Sequence, residues 1–129
     1  MENQKKIVIY LDHFNANLIE YTTTAKLVKT IKSDFNQFEK KKILQKGESH
    51  LHDKEQHLQL QFYKEISDNS VGFSIVVLLG PTTAKAELKT ILSHDNRFSD
   101  ADISLKITDK LNQKEQIAFV NNFFYIDTK

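Results

Sequence analysis

Two runs of almost unbroken apolar residues constrain this chain more than anything else in it. They are Lys6-Ile7-Val8-Ile9-Tyr10-Leu11 and Phe73-Ser74-Ile75-Val76-Val77-Leu78-Leu79, both rich in β-branched side chains. A strand that hides one face alternates apolar and polar residues; a strand hidden on both faces does not. Both runs therefore read as central strands of a sheet that is covered on each side. The second is followed at once by Gly80-Pro81, and Pro suits the first turn of a helix because its missing N–H would go unsatisfied there anyway.

The remaining elements arrange themselves around these two strands. Asp12-His13-Phe14-Asn15-Ala16 reads as a turn, since Asp and Asn bond their own backbone. The short turn makes the next strand, Asn17 to Thr22, antiparallel to the first. Ala25 to Lys32, with Leu27, Val28 and Ile31 apolar, reads as a third strand. Leu51, Leu58, Phe62 and Ile66 recur at spacings of seven and four, a helical period from His52 to about Ser67. Ala84, Leu88, Ile91 and Leu92 form the stripe of a second helix that ends near His94. Ile103, Leu105 and Ile107 alternate with Asp102, Ser104 and Lys106, the pattern of an edge strand. Asn112 followed by Glu115 opens a last helix as a capping box, with Ile117, Val120, Phe123 and Phe124 along it.

The element order is βββαβαβα. Three strands come first, and the helical crossovers that follow require parallel pairing. This is the order of an α/β fold with a ribonuclease-H-like mixed sheet. Gly occurs three times and Pro once in 129 residues, so no linker or boundary divides the chain, and residues 1–129 are expected to form a single domain. Hydrophobic residues are 40% and charged residues 27%, as in globular domains. With no cysteine, disulfides, thiolate metal sites and thiol nucleophiles are excluded. No signal-peptide core opens the chain, and no apolar run approaches the ~20 residues of a membrane span. A cytoplasmic protein is expected.

Chemistry-bearing patterns are sparse. A nuclease on this sheet needs several carboxylates around two metal ions. Asp12 stands at the end of the first strand and Asp53 or Glu55 on the first helix, but Leu79-Gly80-Pro81 offers no acid at the end of the fourth strand. No glycine-rich or Walker-type phosphate loop exists, so no nucleotide cofactor is expected. His50, Asp53 and His57 would share a helix face and, with Asp12, are the weak candidates for a metal; this metal-dependent hydrolase is the alternative function. Thr82, Thr83 and Lys85 stand where a buried strand meets a helix N-terminus, a generic anion site. Finally, eight lysines lie between Lys26 and Lys54 against four acids. Residues of about 33–50 have no period and carry Lys40, Lys41, Lys42 and Lys46, so a long, mobile basic loop is expected. With Lys54 and His50, these lysines are the candidates for binding RNA phosphates.

Ile9-Tyr10-Leu11-Asp12-His13-Phe14-Asn15-Ala16-Asn17-Leu18-Ile19 and Leu78-Leu79-Gly80-Pro81-Thr82-Thr83-Ala84-Lys85-Ala86-Glu87-Leu88 resemble small bacterial translational-machinery-component proteins. Those are similar to the middle domain of archaeal and eukaryotic peptide-chain release factors and of Pelota. The histidine-rich run before Phe62-Tyr63-Lys64-Glu65-Ile66 fits the same group. In the release-factor domain a Gly-Gly-Gln tip precedes the first helix; the matching place here reads Lys46-Gly47-Glu48-Ser49, without the second glycine and the glutamine. The resemblance thus implies a non-enzymatic module that docks on a ribosome or tRNA through its basic loop. A third expectation is a homodimer through the C-terminal helix, where Phe119, Phe123, Phe124 and Tyr125 crowd together.

Overall fold

The computed structural model describes residues 5–33 and 48–127 of the 129-residue chain, with side chains over 5–33 and 55–125. The elements are β1 (Lys6–Leu11), β2 (Asn15–Tyr21), β3 (Ala25–Lys32), α1 (Glu48–Asp68), β4 (Ile75–Gly80), α2 (Ala84–Ser93), a 3-10 turn at Asn96–Phe98, β5 (Asp102–Ile107) and α3 (Gln113–Asp127). The five strands form one sheet in the order β3-β2-β1-β4-β5. β1 pairs antiparallel with β2 and parallel with β4, β2 pairs antiparallel with β3, and β4 pairs parallel with β5. This is the ribonuclease-H-like mixed sheet expected from the element order.

The two apolar runs lie side by side at the centre. Ile7, Ile9 and Leu11 of β1 and Val76 and Leu78 of β4 point into a core closed by α1 and α2, through Phe62, Tyr63, Ile66, Ala84, Leu88 and Leu92. The alternate residues, Val8, Tyr10, Val77 and Leu79, point into a second core closed by Val120 and Phe124 of α3. Each of these strand residues is 9% exposed or less. The absence of alternation in the sequence thus has its cause: water reaches neither face.

Polar devices hold the layers in register. Asp12 Oδ1 accepts the N–H groups of Phe14 and Asn15, both at 2.8 Å, which shapes the β1–β2 turn. Asn112 and Glu115 cap α3 reciprocally: the Asn112 N–H donates to Glu115 Oε1 at 2.9 Å and the Glu115 N–H to Asn112 Oδ1 at 2.8 Å. Under the α3 face, Asn17 Nδ2 donates to Gln116 Oε1 at 2.8 Å and Thr30 Oγ1 to Asn17 Oδ1 at 2.9 Å. Gln116 is only 4% exposed, so this chain satisfies a buried amide that would otherwise cost stability. Gly80 has φ +153°, and a Cβ there would run into the Leu11 carbonyl oxygen. The close approach of β4's last residue to β1 demands glycine.

Several boundaries differ from the sequence reading; β4, read from Phe73 to Leu79, spans Ile75 to Gly80. α1 begins at Glu48 rather than His52, so Glu48–His50 are helical and do not belong to the expected loop; the apolar period alone could not find a first turn without apolar residues. β2 begins at Asn15, because the Asp12 turn needs fewer residues than expected. Pro81 sits in the βα turn, and α2 starts only at Ala84. Residues 34–47, with Lys40, Lys41, Lys42 and Lys46, lie outside the described residues.

Phe124 fills the α3 core at 1% exposure, with its ring 5.0 Å from that of Tyr21. Phe124→Ala is expected to lower unfolding free energy by about 3–5 kcal/mol, and Asn112→Ala by about 1 kcal/mol, measured by urea denaturation.

Candidate functional site

Two features stand at places the sequence singles out, a basic edge strand and the β4–α2 turn; a third, a groove beside the β1–β2 turn, does not. The basic stretch starts on β3, the last strand on its side of the sheet. Lys26, Lys29 and Lys32 are all exposed there. A register shift opposite Leu18/Ile19 adds a residue to β3, so Leu27 pairs with Ile19 and Lys29 with Leu18. The bulge changes which residues face which side. Leu27 packs with the α3 core, whereas Ile31 lies in the other. Glu20 pairs with Lys26, so cross-strand geometry places Lys26 and Lys29 on one face of the edge despite their odd spacing. The segment between β3 and α1 carries the remaining RNA-binding lysines of the sequence reading. Lys54 and His50 are on α1, and their side chains lie outside the described residues.

The β4–α2 turn is satisfied from within. Thr82 Oγ1 accepts the Ala84 N–H at 3.2 Å, Thr83 Oγ1 donates to Glu87 Oε2 at 3.3 Å, and Lys85 Nζ donates to the Thr82 carbonyl at 2.5 Å. Lys85 is 7% exposed. All three candidates for an anion site hold the turn together instead of converging on a common point. Of the weak metal candidates, Asp12 Oδ1 caps its own turn and His57 is exposed on α1. The side chains of His50 and Asp53 lie outside the described residues, and among the described residues no three His, Asp or Glu side chains cluster.

The third feature was not foreseen. The β1–β2 turn, α1 and α2 enclose an open groove of about 680 Å³, lined by His13, Phe14, Glu55, Gln59, Leu60, Tyr63, Glu87 and their neighbours. At its base Glu87 gathers three donors. Tyr63 OH lies 2.6 Å from Oε1; Thr83 Oγ1 and His13 Nε2 lie 3.3 Å from Oε2. Partial burial pushes the Glu87 carboxyl up, but the bonds from Tyr63, His13 and Thr83 outweigh it and hold the group below its ordinary 4.5. Burial, with the bond and charge of Glu87, pushes the Tyr63 phenol far above its ordinary 10.0. A carboxylate held ionised beside a phenol held protonated is a clamp joining two helices and a turn; neither group is tuned for proton transfer near neutral pH. These partners are 74 and 24 positions apart in sequence, so no local motif announces them.

The clamp has a pH signature. A carboxyl lowered in the folded state contributes stability that is fully present above its unfolded value and lost as pH falls through its folded one. Urea midpoints of the unaltered chain should therefore drop below the ordinary glutamate value of 4.5. In Glu87→Gln that acid limb should be shallower. Equal slopes in the two proteins would contradict the clamp.

No protein-family model and no curated protein matches this sequence. Solved structures do match. Pelota from Archaeoglobus fulgidus is 10% identical with a TM-score of 0.61, over 94% of this chain and 32% of that one. An archaeal translation termination factor is 12% identical with a TM-score of 0.52, over 96% of this chain and 40% of that one. The chain therefore spans about a third of the first and two-fifths of the second. The fold is that of one part of such a factor, in keeping with the release-factor middle-domain resemblance read from the sequence.

Proposed function

We propose that this chain is a non-enzymatic, translation-associated module that docks on ribosomal RNA or tRNA through the lysines between Lys26 and Lys54. The observation that carries the reading is the position of that stretch. It begins as exposed lysines on an open edge strand, runs through Lys40, Lys41, Lys42 and Lys46, and enters α1 at Glu48. In the release-factor domain this chain resembles, the segment before the first helix carries the functional tip. Here it carries charge. Four phosphate-seeking lysines in one segment suit sequence-independent RNA contact, driven by release of counterions. Termination by peptidyl-tRNA hydrolysis is not part of the proposal, because the sequence contains no adjacent pair of glycines.

The likeness to Pelota and to an archaeal translation termination factor supports a place in translation. It does so through fold, and fold alone does not carry function. The lysines supply the independent chemical argument. A near-neutral chain, with a formal net charge of +1, has no general attraction for nucleic acid, so its binding should depend on this one stretch.

The full chain should co-sediment with purified ribosomes at low salt and come off as salt is raised. Replacing Lys40, Lys41, Lys42 and Lys46 together by Ala should abolish most of the binding and flatten the slope of log affinity against log salt by about 3. Lys89→Ala with Lys114→Ala, exposed on α2 and α3, should leave both unchanged. Absence of co-sedimentation at low salt, or equal loss in the control pair, would contradict the reading.

A further inference from the structure

Among the described residues the sheet ends in two edge strands, and they are built differently. β3 presents three exposed lysines and a bulge, the devices by which edge strands avoid recruiting other strands. β5 closes the opposite side and keeps an unshifted register with β4 from Asp102 to Ile107. It carries one lysine, and its Leu105 and Ile107 are 36% and 85% exposed. The Asp102 N–H donates to the Ser74 carbonyl and the Thr108 N–H to the Gly80 carbonyl. By the two-residue period of a strand, residues 102, 104, 106 and 108 turn their main chain to β4. The N–H and C=O groups of Ile103, Leu105 and Ile107 then face outward.

We propose that β5 is a self-association edge, on which a second copy of this chain pairs antiparallel about a two-fold axis through Ser104. The outward groups belong to odd-numbered residues, so a productive antiparallel register must set odd opposite odd. Centring on Ser104 sets Ile103 opposite Leu105, and Ala101 opposite Ile107, each twice. It also sets Asp102 opposite Lys106 twice, in the closely spaced pairs where opposite charges attract. Other registers lose this. Centred on Leu105, Asp102 faces Thr108 and Lys106 faces Ser104. Centred on Ile103, Lys106 falls opposite Asp100 and Ile107 opposite Ser99, both in the turn that precedes the strand.

Lys106 Nζ lies 5.4 Å from the Phe123 ring centroid, on the α3 side of the sheet. Asp102 has the same parity, so the two charges lie on one face. The interface is isologous, as a two-fold dimer requires. A six-residue ladder is small beside standard interfaces of about 1,200–2,000 Å², so the dimer is weak and depends on concentration.

The absence of cysteine in the chain allows a direct test. Ser104→Cys places one thiol on the two-fold axis, where facing Cα atoms at about 4.5 Å are within disulfide reach. With oxidised glutathione as oxidant, the folded full chain should collect as a covalent dimer at least ten times faster than Ile107→Cys, whose proposed neighbour is Ala101. In the Ser104→Cys background, Asp102→Lys should slow cross-linking at least ten-fold by setting like charges opposite. Adding Lys106→Asp should restore it. Sedimentation of the unaltered chain should show a concentration-dependent dimer. Equal rates for the two cysteine variants would overturn the register. A chain that stays monomeric at every concentration, with Ser104→Cys uncross-linked, would overturn self-pairing and leave this edge to a strand of another protein.

Discussion

The parallel pairing of β1 with β4 is the constraint on which the rest of this structure depends. Both strands are apolar on both faces, so neither can lie at a surface. Once they pair, from Lys6 with Ile75 to Tyr10 with Leu79, each face of the pair must be covered. α1 and α2 cover one side and α3 the other. The more polar strands β2, β3 and β5 are pushed outward, and the sheet order follows from that hierarchy of burial. Gly80 ends β4 against the Leu11 carbonyl, so the two central strands stay close to their last residues. From there the chain enters the β1–β2 turn and the β4–α2 turn, which meet at Glu87.

That geometry leaves function to the periphery. The centre is filled by aliphatic and aromatic side chains, and the polar groups near it satisfy one another: Asn17 with Gln116, Glu87 with Tyr63, Lys85 with the Thr82 carbonyl. The proposed partners meet the two sheet edges and the segment that joins β3 to α1. The edges differ in character. One carries lysines and a bulge; the other carries Leu105 and Ile107. A module that meets polyanions along one edge and its own copy along the other would use the same sheet twice without altering its core.

Much of the fold was legible because its cause is local. The bounds of β1 and the cap at Asn112 follow from strings of residues that permit little else, and those of β3 from a looser apolar pattern. The start of α1 was not legible, since its first turn bears no apolar residue before Leu51 to mark the period. The bulge in β3 was hidden for a related reason. Alternation slips by one residue there, and a slipped alternation resembles a weak one. The Glu87 clamp was beyond reach: His13, Tyr63 and Glu87 are ordinary residues until three separate elements bring them within 3.3 Å. The anion-site pattern at Thr82, Thr83 and Lys85 was legible as a pattern, but the internal bonds that occupy those groups were not.

In the proposed function the β1–β4 spine carries a basic edge as its contact surface for translational RNA. Hydrogen exchange of backbone amides, followed with and without purified ribosomes, tests it most directly. Exchange in β1 and β4 should be slow in both states. Added ribosomes should protect β3 and the segment leading into α1, and leave the groove beside His13 and the outer turns of α3 unchanged. Protection centred on that groove or on α3, with β3 exchanging as in the free chain, would contradict it.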